Sequence, residues 1–116
     1  MRAAVVTAVI WALLVAGGVL ESRHYRVVTV SGGSMRPALA PGDLVVVRRQ
    51  QRARVGGIAL FADGDGLVLH RVVGVTGGAV RTRGDANPVA DRDPVPTRAL
   101  RGIVVGVVPV GAWLSR

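Results

Sequence analysis

The chain has 116 residues, half of them hydrophobic and only four aromatic (Trp11, Tyr25, Phe61, Trp113), with a formal net charge of +8. Once the apolar run at its start is set aside, that length holds one small domain. With no cysteine, neither a disulfide framework nor a thiolate metal site is possible. All of the positive side-chain charge comes from arginine, because the sequence contains no lysine.

In chain order, the first element is Ala3 to Leu20, 18 residues without a charge. At about 1.5 Å per residue such a helix spans about 27 Å, close to the hydrocarbon thickness of a bilayer. The expectation is a retained single-pass membrane anchor over residues 1–22, followed by a β-rich domain over residues 23–116. A cleaved secretory signal is the competing account. Such h-regions run about 7–15 residues, however, and no clear A-x-A site precedes Glu21. Arg2 and the terminal amine favour a cytoplasmic N-terminus, whereas Arg23 and Arg26 pull the other way.

From Tyr25 the pattern breaks into short Val-rich runs separated by turn signals, the rhythm of an all-β domain. Strands are expected over Arg26–Ser31, Asp43–Arg48, Gly57–Phe61, Leu67–Gly74, Ala79–Arg83 and Gly102–Val108. Turns are expected at Pro41-Gly42-Asp43, Gly56-Gly57, Asp63-Gly64-Asp65-Gly66, Gly77-Gly78 and Asn87-Pro88. The fold class is therefore mainly β, a compact β barrel or folded sheet behind one N-terminal transmembrane helix. The basic stretch Arg48–Arg54 (RRQQRAR) has no aromatic side chain on which a base could stack. It reads as a solvated loop near anionic lipid head groups, with no nucleic-acid partner. The apolar tail Ile103–Leu114 contains Pro109 and is too short for a second span. It reads as a closing strand followed by a membrane-surface contact through Trp113, or as a core strand with a frayed end.

Three islands carry the chemistry: SGGSMRPAL at Ser31–Leu39, LHRVV at Leu69–Val73, and TRGDANPVAD at Thr82–Asp91. A serine hydroxyl becomes a nucleophile when a base takes its proton and donors await the oxyanion. Ser34 has suitable surroundings, since Gly32 and Gly33 permit a tight turn and close approach to a substrate, while Pro37 restrains the chain beyond it. By itself this box is no more than a Gly-Ser turn before a proline. His70 gains weight by elimination. The other histidine, His24, adjoins the apolar run, and no lysine exists to act as base. An imidazole can take the serine proton and return it to a leaving amine near neutral pH. The third island offers two carboxylates, Asp85 and Asp91, either of which could orient that imidazole. Asp63-Gly64-Asp65-Gly66 lacks the glutamate that closes an EF-hand loop, position 74 being Gly74. No metal site and no cofactor are expected.

Together the islands resemble those of type I signal peptidases (S26 family), membrane-bound serine proteases that remove signal peptides from exported proteins. The G-x-S-M-x-P box matches Gly32–Pro37, with Ser34 at the nucleophile position, and the R-V-V box matches Arg71–Val73. The residue before that second box is the general base. It is lysine in most bacterial members and histidine in the endoplasmic-reticulum-type branch, so His70 makes the resemblance one to the histidine branch. The G-D-x-N box and its following aspartate match Gly84, Asp85, Asn87 and Asp91.

The resemblance implies Asp91 as orienter, with Asp85 as structural support or second candidate, and Gly33, Ser34 and Met35 as the oxyanion and substrate-binding positions. It further implies a β catalytic core on the extracytoplasmic side of the cell membrane. Its substrates would be preproteins with small residues one and three positions before the cut, bound as an extended strand. The chain departs from many bacterial members in having Gly32 where they carry an oxyanion-assisting serine, and in lacking their large insertion. Activity that depends on a membrane-protein partner fits such a minimal version. A maturation protease dedicated to one partner, and a non-catalytic anchored β module that binds exported chains, are the alternatives.

Overall fold

The computed structural model describes residues 23–114. They form β1 (Tyr25–Thr29), β2 (Leu44–Arg48), β3 (Ile58–Asp63), β4 (Gly66–Thr76), β5 (Ala79–Arg83), β6 (Val95–Pro96) and β7 (Leu100–Val108). A 3₁₀ turn, Thr97–Ala99, precedes β7, and a short helix α1, Val110–Leu114, follows it. The strands make one antiparallel sheet in the order β1-β2-β7-β3-β4-β5-β6. Of the two forms expected, this is the folded sheet and not a closed barrel, since the order ends at β1 on one side and β6 on the other.

The sheet folds because β3 is buried on both faces. Strand side chains alternate, so Ala59 and Phe61 point one way and Leu60 the other. Leu60 joins a core of Val30, Met35, Leu39, Val45 and Val47. Ala59 and Phe61 join a second core with Val72, Val80, Val95 and Leu100. A half-exposed sheet would show one such face; two cores astride one strand require the flanking strands to wrap over both sides.

The last strand lies inside the sheet, as the core-strand alternative has it. It begins at Leu100, two residues earlier than the Gly102 start, and inserts between β2 and β3 at the sheet centre. Gly102 permits this. A Cβ there would lie 2.3 Å from the Arg48 carbonyl oxygen and 2.5 Å from Val47 Cγ1, beside the register shift at Val46/Val47. Helix α1 was not anticipated, and its seat explains it: Gly111 N–H donates to buried Asp43 Oδ1 at 2.9 Å, while Ala40 N–H donates to Oδ2 at 2.9 Å. Asp43, expected to open a strand, instead ties the turn after the serine box to the C-terminal helix. Strand β6 was also missed, because two residues that include a proline carry no strand signal. Asp63-Gly64-Asp65-Gly66 forms the expected hairpin turn, with Gly64 at φ +59°.

Among the described residues no helix is long and apolar enough to cross a membrane. The Ala3–Leu20 run, and with it the expected anchor, lies outside the described residues.

Candidate active site

Ser34 sits in the turn that follows β1. Gly32 takes a left-handed φ of +88°, and two backbone bonds, Arg36 N–H to the Gly33 carbonyl (3.1 Å) and Leu39 N–H to the Met35 carbonyl (2.9 Å), wind the segment up. Met35 and Leu39, 2% and 1% exposed, pin the turn into the core. The Ser34 carbonyl also accepts the Ala86 N–H at 2.9 Å, which fastens the serine box to the Gly84–Asn87 turn.

His70 lies mid-strand on β4 opposite Ala59 of β3, with Phe61 edge-on to its ring at a centroid distance of 6.2 Å. Its two nitrogens have different partners. Nδ1 is 2.5 Å from Asp91 Oδ2, and Nε2 is 3.1 Å from Ser34 Oγ. A carboxylate only accepts, so the ring proton belongs on Nδ1 and the Nε2 lone pair faces the serine hydroxyl. Asp91 is fastened to β5 by its own N–H, which donates to the Thr82 carbonyl at 2.8 Å. The Thr82 hydroxyl donates back to Asp91 Oδ2 at 2.7 Å.

The two carboxylates thus separate. Asp85, the second candidate for orienter, does not reach His70 through a hydrogen bond. Arg71 Nε and Nη2 grip its two oxygens at 3.1 and 2.7 Å, and Arg71 Nη1 donates to the Gly56 carbonyl at 2.9 Å. The hydrogen bond from Arg71, reinforced by its charge, holds the Asp85 carboxyl below the ordinary aspartate value against the opposing effect of desolvation. The guanidinium is raised in return, chiefly by the same bond. This fork ties β4 to the Gly84 turn and to the loop before β3.

The expected binding positions Gly33 and Met35 flank Ser34 in the turn that follows β1. Met35 joins the core and also lines the groove, its Sδ accepting the Asp85 N–H at 3.5 Å. Gly32, beside Gly33, lines the groove as well. Thr82 carries no role in the sequence reading. The signal that would have found it is the alternation of β5, where Val80 and Thr82 face inward between exposed Arg81 and Arg83. A buried hydroxyl on an apolar face demands a partner.

Ser34, His70, Thr82 and Asp91 open onto a groove of about 560 Å³. Its other walls come from the edge strand β1, the β3–β4 hairpin and the segment before β6, with Val28, Val30, Leu69 and Pro94 supplying apolar surface. Such a groove, beside a serine hydroxyl facing a carboxylate-backed imidazole, is the arrangement that serine peptidases use on many scaffolds. Among the described residues no three His, Cys, Asp or Glu side chains gather to hold a metal ion. Comparison with protein families reaches the same class: the chain belongs to the Peptidase S24-like family, which it matches over residues 9–105, a family related to the signal peptidases. No curated protein matches the chain.

Proposed function

We propose that the protein is a membrane-bound serine endopeptidase that removes signal peptides from exported preproteins, with Ser34 as nucleophile, His70 as general base and Asp91 as the group that orients it. The supporting observation is the relay Ser34 Oγ, His70 Nε2, His70 Nδ1, Asp91 Oδ2, with separations of 3.1 and 2.5 Å, opening onto the groove. His70 Nε2 takes the hydroxyl proton as Ser34 Oγ attacks the scissile carbonyl, and Asp91 stabilises the imidazolium that results. The same proton passes to the leaving amine. Water, deprotonated in its turn by His70, then hydrolyses the acyl-enzyme and restores Ser34. The Ser34 N–H is the proposed donor to the oxyanion.

Among the described residues β1 is an outer strand of the sheet and forms one wall of the groove, and the substrate binds extended alongside it. Residues 1–22 serve as a single-pass anchor and residues 23–116 as the extracytoplasmic domain. Arg49 N–H bonds to the His24 carbonyl at 2.8 Å, which puts the basic loop at the root of β1, where an anchored chain would meet anionic head groups.

The test is cleavage of a secretory precursor by the detergent-solubilised protein. Ser34→Ala and His70→Ala are each expected to lower turnover by at least about 10³-fold. Undiminished cleavage by either variant would overturn the mechanism; a parent that cuts nothing, alone or in membranes of its host, would overturn the peptidase reading in favour of a binding module, whereas cleavage in membranes only would assign the loss to a missing partner.

A further inference from the structure

We propose that Thr82 is a positioning residue for this site: its hydroxyl holds the Asp91 carboxylate in the one orientation that sets the His70 tautomer and leaves Nε2 ready for the Ser34 proton. The proposal rests on the reading of Ser34, His70 and Asp91 given above.

Three observations carry it. First, the Thr82 hydroxyl and His70 Nδ1 converge on the same oxygen, Asp91 Oδ2, at 2.7 and 2.5 Å. A hydroxyl has a single proton and a carboxylate accepts, so that proton is committed to Asp91. Second, the link between the two residues is reciprocal, since Asp91 N–H donates to the Thr82 carbonyl at 2.8 Å. One bond places the Asp91 backbone, and the other selects the direction of its side chain. Third, the burial of the two residues differs. Thr82 is 1% exposed in the strand interior, whereas the Asp91 side chain is 26% exposed. An aspartate at such a margin has solvent available as a competing environment, and the buried donor is what turns it inward.

The apolar surroundings of Thr82 lead to the same conclusion. On β5 it follows Val80 on the inward face and pairs with Val72 of β4. Packing alone would be met by valine, which has the same shape. The hydroxyl is accounted for by Asp91.

The chain contains two histidines, so ¹⁵N-histidine labelling in detergent micelles yields two sets of imidazole signals, with the His70 set identified by its loss in His70→Ala. Thr82→Val should weaken or abolish the low-field Nδ1–H resonance of His70 and lower kcat on a secretory precursor by about 10- to 100-fold, leaving KM within about twofold. Thr82→Ser keeps the donor and should retain both signal and turnover. If Thr82→Val does not fold, Thr82→Ala removes the same hydroxyl and is read in its place. The proposal is overturned if the hydroxyl-less variant keeps the resonance and the parental kcat, or if Thr82→Ser falls as far as Thr82→Val, which would assign the effect to packing. A parent without peptidase activity would sink the functional reading, while the resonance would still decide the role of Thr82.

Discussion

Replacing Gly84 with alanine puts a methyl group into a contact with no room for it. An ideal Cβ at this position lies 2.7 Å from the Ser34 carbonyl oxygen, 2.7 Å from Asn87 Nδ2 and 3.1 Å from Ser34 Cβ. The backbone of Gly84 is outside the left-handed region, so the cost comes from crowding alone. The Asn87 amide can swing aside. The Ser34 carbonyl cannot, because it is tied to the Ala86 N–H two residues further along the same turn. Restoring ordinary contact at 3.4 Å requires the two turns to part by about 0.7 Å, and the moving partner is the turn that seats Ser34 Oγ 3.1 Å from His70. Overpacking of this kind costs about 1–3 kcal/mol. At roughly 4–8 °C per kcal/mol for a domain of this size, the melting temperature should fall by about 5–20 °C. A misplacement approaching 1 Å at the reacting atoms should lower kcat by roughly 10- to 100-fold. Calorimetry of the purified Gly84→Ala protein, with precursor cleavage measured well below its melting temperature, reads both quantities. Parental kcat together with a parental melting temperature would refute the view that Gly84 seats the nucleophile.

Further outcomes follow from the two other carboxylates. Asp85 has a folded pKa below its unfolded value, so its contribution to stability is complete above the ordinary value of 3.8 and is lost as pH falls through the depressed one. Asp85→Asn should therefore be less stable than the parent at pH 7, by about 1 kcal/mol given the partial exposure of the pair. The gap should close below pH 4 in a thermal-melt series; a gap independent of pH would contradict the assignment. Asp43→Ala removes the acceptor for both Ala40 and Gly111 N–H groups and should cost about 2–4 kcal/mol in urea unfolding. An unchanged urea midpoint would mean that the tether to α1 contributes nothing to stability.

Much of the fold was legible because valine-rich runs and glycine turns act locally. Ala79–Arg83 is a strand with the expected bounds, and the other five expected strands overlap the observed ones with ends shifted by at most two residues. Sheet order was not legible. Nothing within Leu100–Val108 tells that this last strand enters between β2 and β3; that depends on Gly102 letting two backbones approach and on Leu60 needing a core opposite to that of Phe61. Helix α1 was hidden for a similar reason, since its anchor, Asp43, lies 68 residues away from Gly111.

For the site, the sequence by itself determined the chemical inventory: one glycine-flanked serine box, a histidine with no lysine to compete as base, and two nearby carboxylates. Only the tertiary structure decided how those groups pair. His70 and Arg71 are adjacent on β4, and the strand pleat turns adjacent side chains to opposite faces. Asp91, fastened to Thr82 on β5, arrives on the face of His70. Asp85, in the turn beside Ser34, arrives on the face of Arg71. The two aspartates are six positions apart in the chain, but the pleat of a neighbouring strand gives them different partners.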